Sequence, residues 1–150
     1  MNPKHIKSIA RIIAVIILVT LVTGMSLPAY AAPGDLTRVS VDSSGAQANG
    51  WSRRTTISGD GRYVAFESDA SNLVSGDTNG AGDIFVHDRQ TGQTRRVSVA
   101  SNGAEANGGS GEVDISDDGR YVAFSSGATN LVAGDTNGKR DIFVYDLQTG

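Results

Sequence analysis

The chain has 150 residues, a formal charge of -3, 19 glycines and no cysteine. That length allows one modest domain, the lack of cysteine excludes a disulfide or thiol framework, and nothing in the charge balance suggests a nucleic-acid surface.

The amino terminus reads as an export signal. "MNPKHIKSIAR" supplies Lys4, Lys7 and Arg11, "IIAVIILVTLV" follows as an apolar run, and "LPAYAAP" places small residues at Ala29 and Ala31, with cleavage expected before Ala32. An uncleaved membrane anchor needs roughly 18 or more apolar residues, and Thr20, Thr23, Gly24 and Ser26 dilute the run first. Residues 1–31 are therefore expected to leave an acidic, extracytoplasmic chain, secreted or periplasmic, without a stable membrane span. With no cysteine in an oxidising space, packing, closure or metal must supply its stability.

From Arg38 onward the chain is written twice. Arg38 to Gly92 laid over Arg96 to Gly150 gives 38 identities in 55 positions without a gap, an offset of 58 residues. In chain order the first copy holds "LTRVSV" (36–41), then "TTIS", "RYVAFES" and "DIFVHD" (83–88), all short and β-like, and no helical period appears outside the signal. "GDGR" (59–62) and "DDGR" (117–120) read as tight Asp-Gly turns, and "RQTGQ" closes another tight connection. The other two links, "DSSGAQANGWSR" and "DASNLVSGDTNGAG", are long. Successive connections of an antiparallel meander alternate ends, so both long links are expected at one end of the sheet.

Tandem four-stranded units read as propeller blades. "ISGDGRYVAFES" with "GDIFVHDRQTG", and again "ISDDGRYVAFSS" with "RDIFVYDLQTG", resemble the repeats of TolB-type β-propellers, S-P-D-G-[KR]-x-[IV]-A-F followed by D-[IL]-[YF]-V-x-D. The resemblance covers nearly all of residues 32–150. It departs at Gly59 and Asp117, where that family usually has proline, and in the long "SNLVSGDTNG" insert. It implies an all-β chain of blades in an incomplete propeller. Only residues 53–99 supply a full blade, "LTRVSV" is an outer strand without its blade, and the last outer strand would fall past Gly150. Closed rings take about 4–8 blades, so further blades or an oligomer are expected to close this one.

Two copies of a polar loop carry the metal expectation: Asp77, Asn79 and Asp83, and again Asp135, Asn137 and Asp141. Calcium takes about 6–8 oxygens, which such side chains, loop carbonyls and water jointly supply. The competing reading has Asp77 and Asn79 folding back on the loop as Asx turns, with Asp83 capping the strand. Asp60 and Asp118 fall in hairpin turns and do not fit a sialidase Asp-box. No catalytic residues are expected: past the signal His87 is the last histidine, Tyr145 replaces it in the second copy, and neither Ser58 nor Ser116 has a histidine in reach. Trp51, Arg53 and Arg54 mark a candidate interaction face, against the reading that Trp51 packs across a blade junction. Arg95 and Arg96 read as solvated outer-strand charges.

The functional expectation is an exported, non-catalytic binding or scaffold module that presents its long loops to a protein, peptide or glycan. The alternatives are the propeller portion of a longer prolyl-oligopeptidase-like hydrolase, and a calcium-stabilised surface or adhesion module.

Overall fold

The computed structural model describes residues 34–150; the reading of residues 1–31 as a signal lies outside them. Among the described residues the chain is all β. Strands β1 (Ser52–Ile57), β2 (Tyr63–Ser68), β3 (Asp83–Asp88) and β4 (Gln93–Arg96) form one antiparallel sheet in sequential order. Strands β5 (Ser110–Ile115), β6 (Tyr121–Ser126) and β7 (Asp141–Asp146) form a second.

The period-2 pattern decides what each face does. Ala65, Ile84 and Val86 of the first sheet join Ile115, Val122 and Phe124 of the second in one buried layer. Val64, Phe66 and Phe85 point the other way and are covered by Ala70, Leu73, Val39 and Ala48. Phe66 and Phe85 are register partners, stacked with ring centroids 5.9 Å apart. The strand "DIFVHD" is thus buried on both sides in the first sheet.

Turn chemistry closes β1 onto β2 and β5 onto β6 in the same way. Ser58 Oγ donates to Asp60 Oδ1 (2.6 Å), which also accepts from the Arg62 amide (2.9 Å), while the Tyr63 amide returns to Ser58 Oγ (3.0 Å). Ser116, Asp118 and Tyr121 repeat the arrangement. Gly119 is held at φ 70°, and a Cβ there would lie 2.6 Å from the Tyr63 ring; glycine serves both the left-handed turn and the close approach of the neighbouring sheet.

Two strand expectations need correction. The first strand begins at Ser52 rather than at "TTIS", because a β-bulge lets the arginines join it. The register slips between Arg53 and Thr56, and Arg54 takes φ 50°, as Glu112 takes φ 53° in the second copy. The segment "LTRVSV" is not a strand; only Val41 bridges, to Gln47. Among the described residues its backbone pairs with no sheet edge, although Val39 still packs on the Val64–Phe66–Phe85 cluster.

The tight-turn end is pinned by two arginine forks. Arg62 Nη2 lies 2.7 Å from Asp88 Oδ2 and Arg120 Nη2 lies 2.8 Å from Asp146 Oδ2. Burial pushes the Asp88 carboxyl up, but the Arg62 fork and the Gln90 amide outweigh it and hold Asp88 at about 2 against an ordinary 3.8. A depressed carboxylate stabilises the fold fully above its unfolded value, and that stabilisation is lost as pH falls through the folded one. Asp88→Asn is therefore expected to lower the melting temperature at pH 7 and to leave it nearly unchanged at pH 2. Thermal melts of both proteins between these limits check the convergence.

Candidate functional site

The long connections gather at one end, as strand parity requires, and hydrogen bonds between them show it. The Asn49 amide donates to Asn72 Oδ1 (2.9 Å), Asn49 Nδ2 to Ser71 Oγ (3.0 Å), and the Ser71 amide returns to Asn49 Oδ1 (2.9 Å). The second copy repeats this clasp with Asn107, Thr129 and Asn130. The sequence carried its signal in the recurring Ala-Asn-Gly and Ser/Thr-Asn-Leu triplets, which composition alone reads as unstructured loop.

At the tip of the first copy's loop, Asp77 and Asp83 meet Glu105, contributed by the next long connection, with one oxygen of each within 4.8 Å of the others. Arg96 Nη1 sits among them, 2.6 Å from Glu105 Oε1, 3.5 Å from Asp83 Oδ2 and 3.6 Å from Asp77 Oδ1. Arg96 is thus a nearly buried hub and not the solvated outer-strand charge that its place beside "VSV" implies. Arg95 does remain exposed, donating to the Leu147 carbonyl at 2.9 Å. Asn79 Nδ2 bridges Asp83 Oδ2 (2.9 Å) and the Ala106 carbonyl (3.0 Å), and its Oδ1 accepts from the Ala81 amide (2.8 Å), an Asx turn. Ser98 Oγ donates to Asp83 Oδ1 at 2.5 Å.

The three acids do not share the guanidinium equally. Burial raises Asp83, against bonds from Ser98 and Asn79. Burial, then the charge of Asp83, raises Asp77. Burial works the same way on Glu105, but the Thr78 amide and hydroxyl and Arg96 prevail and hold it at about 2. The cluster resembles a cation cage, and the cation in it is the guanidinium. Glu105 was not legible as a partner because Gln47 takes its place in the first copy.

In the second copy Asn137 Nδ2 reaches both oxygens of Asp141 (3.2 and 2.9 Å) and its Oδ1 accepts from the Lys139 amide (2.6 Å). Asp135 is different: both of its carboxylate oxygens are buried without a hydrogen-bond partner. The structure therefore brings Asp77 and Asp83 together with Arg96 and leaves Asp135 uncompensated.

Trp51 stands 82% exposed, so among the described residues it does not pack across a junction between the sheets. Its carbonyl accepts from the Asp69 amide (2.9 Å) and Ser68 Oγ (3.0 Å), so the backbone is fixed and the indole is in water. Arg53 and Arg54 flank it in sequence, yet both are engaged: Arg53 with Glu67 (2.7 Å) and Asp69 (2.6 Å), Arg54 with Glu67 and Glu112 (3.6 Å each). His87 is buried. Thr94 Oγ1 gives its proton to the Val41 carbonyl (2.6 Å), so His87 Nδ1 is the donor in their 2.8 Å contact, and burial lowers the imidazole's affinity for a second proton. Ser58 and Ser116 are spent on turns. No family model matches the chain, and no curated protein matches it.

Proposed function

We propose that the chain is an exported, non-catalytic binding module made of TolB-like propeller blades, which offers its long-connection end to a protein, peptide or glycan. One observation carries this reading: the long connections of both copies lie at the same end and are braced to one another by the Asn49–Asn72 and Asn107–Asn130 clasps and by Thr78–Glu105. Loops fixed on a rigid scaffold bind with little ordering cost. The opposite end offers short turns, braced by the Ser58–Asp60 and Ser116–Asp118 bonds and by the Arg62–Asp88 and Arg120–Asp146 forks. The non-catalytic part of the reading rests on His87 and the turn serines, which hold no geometry for proton transfer to a substrate. Calcium is not required by it, because Arg96 balances the first acidic loop.

Arrays of peptides and glycans probed with the full chain test the reading. Retention on a defined subset is expected, and Ser75→Glu combined with Ala133→Glu, which charges two exposed positions on the long connections, is expected to abolish it without moving the melting temperature. A chain retained by neither array, or retained equally after the double substitution, defeats the proposal.

A further inference from the structure

We propose that His87 is an acid-sensitive latch: protonation of its imidazole releases the hairpin of residues 41–47 from β4. This concerns the chain's own conformation and does not rest on the loop-end reading.

The hairpin is held together by its own bonds. Val41 bridges Gln47, and the Asp42 amide donates to the Ala46 carbonyl at 2.9 Å. Asp42 Oδ1 accepts from the Ser44 amide (2.8 Å), the Ser44 hydroxyl (2.7 Å) and the Ala46 amide (2.8 Å). These bonds are internal, so the hairpin keeps its shape when it leaves the sheet. It is docked at two places. At the Gln47 end Asn72 Nδ2 donates to the Gln47 carbonyl (2.8 Å), beside the Asn49 clasp. At the Val41 end the anchor is Thr94 of β4. Its hydroxyl donates to the Val41 carbonyl (2.6 Å), its amide donates to Ser43 Oγ (3.0 Å), and Ser43 Oγ donates to its carbonyl (3.3 Å). Val39 and Ala48, on either side of the hairpin, pack on Val64, Phe66 and Phe85.

His87 decides where the Thr94 hydroxyl points. It is 7% exposed and lies opposite Thr94 in the β3–β4 pair and opposite Val64 in the β2–β3 pair. Its Nδ1–H donates to Thr94 Oγ1 at 2.8 Å, which leaves the threonine proton for Val41. The relay from imidazole to hydroxyl to carbonyl thus joins β3, β4 and the hairpin, and bonds in such a chain reinforce one another. A second proton has to go to Nε2, and among the described residues no hydrogen-bond acceptor meets that nitrogen. The closed latch therefore buries a cation without an acceptor, whereas the open one gives it to water.

The surrounding charges do not rescue that cation. Asp88 attracts it but is already forked to Arg62 at 2.7 Å, and Arg89 repels it. The facing groups on the other elements are Val64 of β2, Thr94 of β4 and the Val41 carbonyl. Asp42 of the hairpin is spent on its own turn, and Arg95 of β4 donates to the Leu147 carbonyl. Burial is the largest influence and lowers the imidazole from its ordinary 6.5. A histidine depressed in the closed form stabilises closure fully above its open value of about 6.5, and that stabilisation is lost as pH falls towards the closed value. One proton taken up on opening raises the open population about tenfold per pH unit in that window. Opening also removes one wall of a cleft of about 660 Å³, which Ser43 and Ser44 form against Leu73, Val74 and Arg95.

Hydrogen exchange of the full chain, read by mass spectrometry at about pH 7.5 and about pH 5 and corrected for intrinsic exchange rates, tests the latch. Segment 39–48 is expected to lose about tenfold in protection at the lower pH, while β2 and β3 keep theirs. Among the described residues His87 is the only histidine. His87→Tyr introduces the residue that the second repeat carries as Tyr145, and it is expected to make the segment's protection equal at both pH values. It leaves Asp77 and Asp83 in place, so a carboxyl titration cannot imitate the result. Thr94→Val keeps the side chain's size, removes the relay and is expected to leave the segment poorly protected at both pH values. If the tyrosine variant does not fold, wild type and Thr94→Val decide the matter. Wild-type protection that ignores pH, the wild-type pH dependence persisting in His87→Tyr, or full protection in Thr94→Val overturns the proposal.

Discussion

Arg96→Met is expected to lower stability by about 3–5 kcal/mol, because it removes the partner of nearly buried carboxylates and leaves their charge in place; the melting temperature falls by roughly 10–20 °C. The methionine keeps most of the stem's volume, so the loss reports charge rather than a cavity. Arg38→Met is its internal control. It is the same residue one repeat earlier, exposed and in none of the ion pairs found among the described residues, and its effect should fall within about 0.5 kcal/mol. The deficit of Arg96→Met should shrink on acidification, because Asp77 and Asp83 are already pushed up by burial and take protons more readily once the guanidinium is gone. Raised carboxyl values make the ionised forms a liability above them, and protonation relieves it. Millimolar calcium should leave the wild-type melting temperature unchanged. Thermal melts of both variants from pH 7 to pH 4 decide the matter; equal losses for Arg38 and Arg96, or a pH-independent deficit, would show that Arg96 is not the hub.

The positions of the strands and turns were legible because they follow from local chemistry. Alternation in "RYVAFES" and the apolar run of "DIFVHD" mark strands whatever packs on them, and the Ser58–Asp60 and Ser116–Asp118 turns close over five residues of chain. The parity argument that places both long links at one end needs only antiparallel order. What the sequence concealed depends on partners distant in the chain. Arg53 and Arg54 look like loop residues until Glu67 is paired against them across a bulge. Arg96 looks solvated until Asp77, 19 positions earlier, and Glu105, nine later, converge on it. Thr78 and Glu105 belong to consecutive long connections, and the contact exists only because the second sheet stacks on the first. Conversely, "LTRVSV" has the pattern of a strand and lacks the neighbour that would make it one, since a pattern supplies a face but no hydrogen-bonding edge.

Ile84→Ala and Ile142→Ala, the same substitution at the same place in the two repeats, are expected to separate by the full cost of a core cavity. Ile84 lies in the layer between the sheets, among Val86, Val97 and Ala65, and its truncation should cost about 2–5 kcal/mol in lost transfer energy and cavity formation. Ile142 makes the corresponding strand position on β7 but meets solvent, so in dilute solution its truncation removes little buried surface and should stay within about 0.5 kcal/mol. Identical residues in nearly identical local sequence then differ only through what covers the face. Denaturant melts of the two variants measure the difference. A large loss for Ile142→Ala in dilute solution would mean that its face is buried within a single chain, and the open layer assigned to β7 would be wrong.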